Sequence, residues 1–154
     1  MMKIQTKYCG EITYQTDELI CFPDGLFGFE EEHEFLLIRL EDDEASPFCL
    51  QSTKNPELAF IVLDPFQLVP DYAPDLSDED CDRLGDPTGE HIALYTICVL
   101  RDPMTESTVN LRCPIAMHMD TRTAFQVMLN GDNGYTFRHK LSALASPAKE
   151  GPSC

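Results

Sequence analysis

PFCLQSTKNPELAFIVLDPF, residues 47–66, decides the fold. Its two runs of aromatic, aliphatic and β-branched residues, at 48–51 and 58–63, are separated by a polar segment containing Pro56, and the second ends at Asp64 and Pro65. Short apolar runs punctuated this way are strands. The texture recurs in both directions. Residues 4–14 mix Ile, Thr and Tyr around Gly10, as a strand or a hairpin bent at the glycine, and 18–22, 35–40, 92–100, 108–111, 115–119 and 123–129 are further strand candidates. This number of strands at short spacing implies a mostly β chain, either a partly open barrel or packed antiparallel sheets.

One short helix is expected near residues 77–84. Ser77 caps it, Asp78, Glu79 and Asp80 put negative charge in its first turn, Arg83 lies in its last, and Gly85 stops it. So short a helix is unstable alone and must dock, here through Leu76, Cys81 and Leu84. NGDNG at residues 130–134 signals a reverse turn. No repeat is visible. The chain reads as a single domain over 1–144, followed by a small, polar and flexible tail over 145–154.

A chain of 154 residues can bury a core of its own. Its charge is unusual: 27 acidic against 11 basic side chains leave a net −16 and a pI near 4.3. Such a surface repels phosphate backbones and anionic lipid, which argues against direct nucleic-acid binding and against membranes, and it favours a basic partner. The start shows no secretory signal, and the longest uncharged apolar run, residues 92–100, is far below the roughly 20 needed to span a bilayer. Seven cysteines, odd in number, widely spaced and without CxxC, read as reduced thiols in a cytoplasmic protein. Cys21, Cys49 and Cys98 sit among apolar neighbours, where a thiol behaves as a small hydrophobe.

The motifs speak for architecture. FPDGLFGF at 22–29 combines Pro23 with Gly25 and Gly28 in a shaped turn, with Phe22, Leu26, Phe27 and Phe29 as its packing residues; the Glu30, Glu31 and Glu32 that follow have the wrong charge for a phosphate loop. Gln51 and Ser52, at the end of an apolar strand, and Asn110, in STVNLRCPI at 107–115, are expected to satisfy backbone groups at strand ends, with Pro114 completing the turn. No GxSxG elbow or Ser/His/Asp set accompanies them, so no catalytic residue is assigned. His33, His91, His118 and His139 form no HExxH or HxH pair; zinc would have to be assembled in space, from His118, Cys113 and a third ligand. No metal or other cofactor is expected.

Two acidic blocks hold most of the excess charge. The first, Glu30, Glu31, Glu32 and Glu34 with Glu41, Asp42, Asp43 and Glu44, reads as solvated loops. In the second, Asp71, Asp75, Asp78, Glu79, Asp80, Asp82 and Asp86 interleave with Phe66, Leu68, Val69, Tyr72 and Leu76. Apolar anchors inside an acidic rim suit an interface with a basic partner. Val99 and Leu100, at the end of the long apolar run, join Phe66, Leu68, Val69, Asp71, Tyr72, Asp75 and Leu76 as expected contact residues.

FPDGLFGF, PFCLQS, LAFIVLDPF and STVNLRCPI, continued by AFQVMLN at 124–130 and YTFRHKL at 135–141, resemble in order and spelling the flagellar assembly factor family (FliW). The likeness covers residues 4–141, and His118 departs from it, standing where the family's strand is more purely aliphatic. The resemblance implies a cytoplasmic, non-enzymatic protein with two alternative partners, flagellin and the carbon storage regulator (CsrA), a repressor of flagellin translation that it antagonises. Flagellin's amphipathic terminal helices are then expected to dock on a groove lined by 92–100 and 66–72. The competing classes are an acidic hydrolase built on paired carboxylates and an interaction domain or chaperone for another secreted protein.

Overall fold

A computed structural model describes residues 2–40, 46–69, 72, 74, 76–86, 91–99, 101, 106–129 and 138–140. The chain runs through β1 (Met2–Gln5), β2 (Glu11–Tyr14), β3 (Ile20–Cys21), β4 (Glu34–Arg39), β5 (Phe48–Ser52) and β6 (Ala59–Leu63). It continues through the single helical turn α1 (Pro65–Leu68), α2 (Asp78–Leu84), β7 (Ile92–Val99), β8 (Thr108–Val109), β9 (Ile115–His118), β10 (Thr123–Gln126) and β11 (His139–Lys140). The stretch that opens the sequence reading becomes β5 and β6, paired antiparallel from Phe48 against Val62 to Gln51 against Ala59.

Seven strands close a barrel in the order β7, β6, β5, β4, β3, β10, β9, with β9 returning to β7. Of the two architectures the sequence leaves open, the barrel is the one formed. Closure depends on β7, which uses one edge twice: residues 92–95 pair with β9, and Cys98 and Val99 pair with β8, which carries β11. The weak point of the ring is the seam between β3 and β10, a parallel contact through the single pair Cys21 and Thr123. There the Cys21 amide donates to the Arg122 carbonyl at 2.8 Å.

Strand alternation sends one set of side chains inward. Ile20, Phe22, Phe35, Leu50, Val62, Ile115, Met117 and Ala124 form the interior, where Phe22 meets Phe35 edge-on at 5.2 Å. Burying each large member contributes about 1.5–3 kcal/mol. The void left among them is about 10 Å³, no more than one water needs, so the barrel is a packed core with no ligand chamber.

Part of the outer face is apolar too, and the chain from α1 to α2 covers it. Tyr72 with Leu68, Val69 and Leu76 packs on Cys98, Val109, Leu111 and Leu129, while Leu84 packs on Ala116, Phe125 and Val127. Leu76 and Leu94 touch both clusters and join them. In α2 the Ser77 Oγ accepts from the Asp80 amide at 3.0 Å, and Gly85 takes the left-handed conformation with φ +79°. Cys81 and Leu84 are its buried residues, the docking face the sequence predicts.

Several boundaries differ from expectation for local reasons. Residues 4–14 are a hairpin, β1 with β2, turned at Gly10, whose carbonyl accepts from the Thr6 hydroxyl at 2.6 Å. The strand expected over 18–22 shrinks to Ile20–Cys21 because Thr16–Glu18 takes a 3-10 turn. β8 stops at Val109 because the Asn110 side chain accepts from the Cys113 amide at 2.9 Å and turns the chain. α1 was not expected, although Asp64 accepts from the Phe66 amide at 2.9 Å and Pro65 stands at the first helical position. The NGDNG turn and the tail lie outside the described residues.

Candidate partner-binding surface

The turn FPDGLFGF divides its aromatics. Phe22 and Leu26 are buried, but Phe27 and Phe29 are 50 % and 41 % exposed, which corrects their reading as packing residues. Gly25 explains the tightness: with φ +68°, a Cβ there would stand 2.5 Å from the Phe29 carbonyl oxygen. Gly28, at φ +88°, passes its amide to the Glu30 carboxylate at 3.1 Å, and Pro23 precedes both. Phe29 leans edge-on against Phe60 at 5.3 Å, and the Phe27 amide donates to Gln126 Oε1 at 2.9 Å.

Gln51 and Ser52 are wholly inside. Gln51 Oε1 accepts from the Lys7 amide at 2.9 Å, and its Nε2 donates to the carbonyls of Ser52 at 3.0 Å and Pro56 at 3.2 Å. The Ser52 hydroxyl donates to Glu32 at 2.9 Å and accepts from the Asn55 amide at 3.0 Å. Both serve backbone and neighbours. Pro114 is buried beside Asn110's turn, and its carbonyl accepts from the Val127 amide at 3.0 Å.

The first acidic block is not simply solvated. Besides Glu30 and Glu32, Glu34 accepts from the Thr53 hydroxyl at 3.2 Å, so three of its carboxylates tie the 22–34 region to the 51–55 turn or to itself. The reading as solvated loops fails at Glu32 and Glu34 because strand pairing brings hydroxyl donors to them. Glu41, Asp42, Asp43 and Glu44 lie outside the described residues.

The expected contact residues separate. Tyr72 is buried and its hydroxyl donates to the Leu111 carbonyl at 2.7 Å, which makes it a packing residue of the outer face. Leu68, Val69 and Leu76 are half-buried against the same cluster. Phe66 and Val99 remain substantially exposed, at 43 % and 46 %. They line different clefts: Phe66 stands with Arg39, Phe48 and Tyr95, and Val99 with Phe27, Arg101 and Arg138. Asp71, Asp75 and Leu100 lie outside the described residues. α2 presents Asp78, Glu79 and Asp82 to solvent, while Asp86 is buried and accepts from the His91 amide at 2.7 Å.

Reactive chemistry is muted. Burial pushes the Cys49 and Cys98 thiols up to about 11 and raises Cys113; Cys81 is raised by burial first and by Asp78, Asp80, Asp86 and Asp82 next. These thiols are protonated and poorly nucleophilic near neutral pH. Cys21 is exposed, a correction to its reading as a buried hydrophobe, because the short β3 turns its side chain outward. His118 Nδ1 accepts from the Asp120 amide at 3.1 Å, and its ring stacks on His91 at 5.9 Å. Among the described residues no three His, Cys, Asp or Glu side chains converge as a metal site. Nor, among them, is any helix long and apolar enough to cross a membrane.

Sequence reasoning missed Arg122, the one non-glycine residue at positive φ, +61°, among the described residues. Nothing in TRT at 121–123 announces this; it follows from the tight turn after His118, where the Arg122 amide donates to the His118 carbonyl at 2.9 Å.

Comparison with known proteins agrees with this architecture. The family model described as FliW protein matches residues 3–141. The flagellar assembly factor FliW of Shouchella clausii is 36 % identical, over 97 % of this chain and 99 % of its own length, and that of Geobacillus thermodenitrificans is 38 % identical over 91 % and 95 %. A crystal structure of the flagellar assembly factor FliW superposes with a TM-score of 0.82 at 37 % identity, covering 91 % of this chain and 96 % of that one. This barrel, with its split β7 and its acidic outer strap, belongs to the FliW family of flagellar assembly factors.

Proposed function

We propose that this flagellar assembly factor is a cytoplasmic, non-enzymatic binding protein that holds flagellin and, in alternation, the carbon storage regulator. Binding the regulator would relieve its repression of flagellin translation, and exported flagellin would free the protein to do so. The observation that carries the reading is the net charge of −16 in a chain aligned with flagellar assembly factors almost end to end. A repressor that grips RNA phosphates must be basic, and an acidic protein attracts it and repels its RNA within a Debye length of about 8 Å. The exposed acids of α2, with Asp71 and Asp75, are the proposed regulator-facing charges; the exposed apolar side chains Phe66 and Val99 are proposed for flagellin.

Titrating the purified chain with its own organism's regulator between about 50 and 500 mM salt tests this. The association rate and affinity should fall steeply with salt for the regulator and little for flagellin, whose contact is apolar. A salt-independent regulator complex would remove the electrostatic mechanism. No complex with either protein would remove the reading itself.

A further inference from the structure

β4 is paired along the length of one edge and only at the start of the other. Phe35 to Arg39 match β5 throughout, but β3 meets β4 at Glu34 and Phe35 alone, because the chain before it coils into the 3-10 turn at Thr16–Glu18. The Phe22 amide donates to the His33 carbonyl at 2.8 Å, which sets the alternation: the backbone groups of Phe35 point to β3, and those of Leu37, two residues on, point the same way, past its end. Opposite stands the hairpin. β2 pairs with β1, and with the Thr6 amide bonded to the Gly10 carbonyl the backbone of Thr13 faces away from β1. Between Leu36, Leu37 and Ile38 on one side and Ile12, Thr13 and Tyr14 on the other lies a groove of about 690 Å³. Among the described residues no strand pairs with either of these edges.

A second observation lies at the same groove. Arg122 lines it, and its Nη2 donates to the Glu18 carbonyl at 2.8 Å, yet its Nε is buried with no hydrogen-bond partner. A buried N–H without an acceptor is rare and costly, and this one belongs to the residue held at positive φ. A small turn of the guanidinium toward the groove would bring it within reach of an incoming backbone carbonyl. Asp17 and Glu18 also line the groove, both exposed, and outnumber its one cation, Arg122, in a chain of net charge −16, so a cationic occupant is favoured over an acidic one.

We propose that this groove is a strand-addition site for an extended, basic segment of a partner protein, whose backbone pairs with Leu37 and lends a carbonyl to Arg122 Nε. The edge from Leu36 to Ile38 that faces the groove is about 10 Å long at roughly 3.3 Å per residue, enough for some three partner residues. Apolar side chains at alternate positions would lie against Ile12 and Leu36, and lysines between them would face solvent and the carboxylates. Unprotected strand edges invite this mode of binding.

The test uses the full chain and three labelled octapeptides: alternating Lys and Val, the same peptide N-methylated at every second residue, and alternating Glu and Val. Anisotropy should show the Lys–Val peptide binding at least tenfold tighter than either of the others. Its binding should slow hydrogen exchange at the Leu37 and Thr13 amides. Arg122→Lys, which keeps the charge and removes the Nε donor, should weaken binding severalfold while the barrel's own amide protection stays unchanged. The proposal is overturned if the methylated peptide binds as well as its parent, if the Glu–Val peptide does, if no Lys–Val binding is seen up to millimolar concentration, or if protection appears elsewhere. Protection of Leu37 that rises with protein concentration in the absence of peptide would assign the edge to a second copy of this chain and equally overturn it.

Discussion

The two acidic blocks have similar composition and opposite fates. Between Glu30 and Glu34 three of the four carboxylates are bonded: Glu30 holds its own turn at the surface, and Glu32 and Glu34 hold hydroxyls at Ser52 and Thr53. Between Asp78 and Asp86 most of the charge faces water, with Asp80 3.6 Å from Arg83, and only Asp86 is spent inside. Strand pairing makes the difference. β4 and β5 run side by side and bring donors to the first block, whereas α2 lies over the barrel with its apolar face down and its acids up. One block is mortar, the other is mostly field, and a count of carboxylates cannot tell them apart.

The sharpest way to break this contrast is the exception within the second block. Asp86 accepts from the His91 amide at 2.7 Å and lies 3.3 Å from His91 Nδ1, at the entry to β7. Asp86→Ala should lower unfolding free energy by about 2–3 kcal/mol in urea, because it strands a backbone donor that had a charged acceptor. Asp82→Ala, on the exposed side of α2, should stay within about 0.5 kcal/mol. Equal small losses would make the whole second block a surface field.

The first block should yield next. Ser52→Ala removes a donor to Glu32 and an acceptor for the Lys54 and Asn55 amides, and is expected to cost about 1–2 kcal/mol. Glu32→Ala should cost about 1 kcal/mol, and the double variant less than the sum, since the two changes break a shared bond. Glu31→Ala is the control within the same run, with a change below about 0.5 kcal/mol. Strict additivity of Ser52 and Glu32 in denaturation would show that the bond contributes nothing and return the block to solvent.

How far the sequence carried depended on range. The strands of residues 48–52 and 59–63 and the capped helix at Ser77 were legible because their signals are local: short apolar runs between breakers, and a hydroxyl followed by three acids. The inward side chains of Gln51 and Asn110 were legible as a type, though their partners were not. Tyr72 was not: a tyrosine between acids looks like an interface anchor until the fold supplies the Leu111 carbonyl 39 residues away. Phe27 and Phe29 misled in the other direction, since a turn tight enough to need Gly25 cannot turn four apolar side chains to one side. Arg122 left no trace in composition, because its conformation belongs to the tight turn that its amide closes on the His118 carbonyl.

A smaller effect tests whether α2 holds its place by local rules. Ser77→Ala removes the acceptor for the Asp80 amide and should lower stability by about 1 kcal/mol, with Ser77→Asp restoring it. Arg83 sits 4.1 Å over the Phe125 ring and 2.7 Å from Asp24, so the last turn should keep its amide protection when the first turn loses its cap. Loss of protection along the whole helix would mean that capping, not docking, carries it.

The smallest change in stability should accompany the largest change in field. Asp78→Asn with Glu79→Gln removes two exposed charges from the N-terminal turn of α2 while leaving its cap and buried face intact. Each exposed charge favours the positive end of so short a helix by about 0.3 kcal/mol at low salt, and less as salt screens it, so the melting temperature should drop slightly in dilute buffer and hardly at all at high salt. Glu30→Ala with Glu31→Ala removes the same charge but also the surface acceptor that holds the Gly28 amide, so part of its cost should persist at high salt. Salt dependence therefore separates field from mortar more cleanly than the size of either loss. If the α2 pair kept its full effect in high salt, its acids would be bonded in ways their exposure does not suggest, and the contrast between the two blocks would collapse.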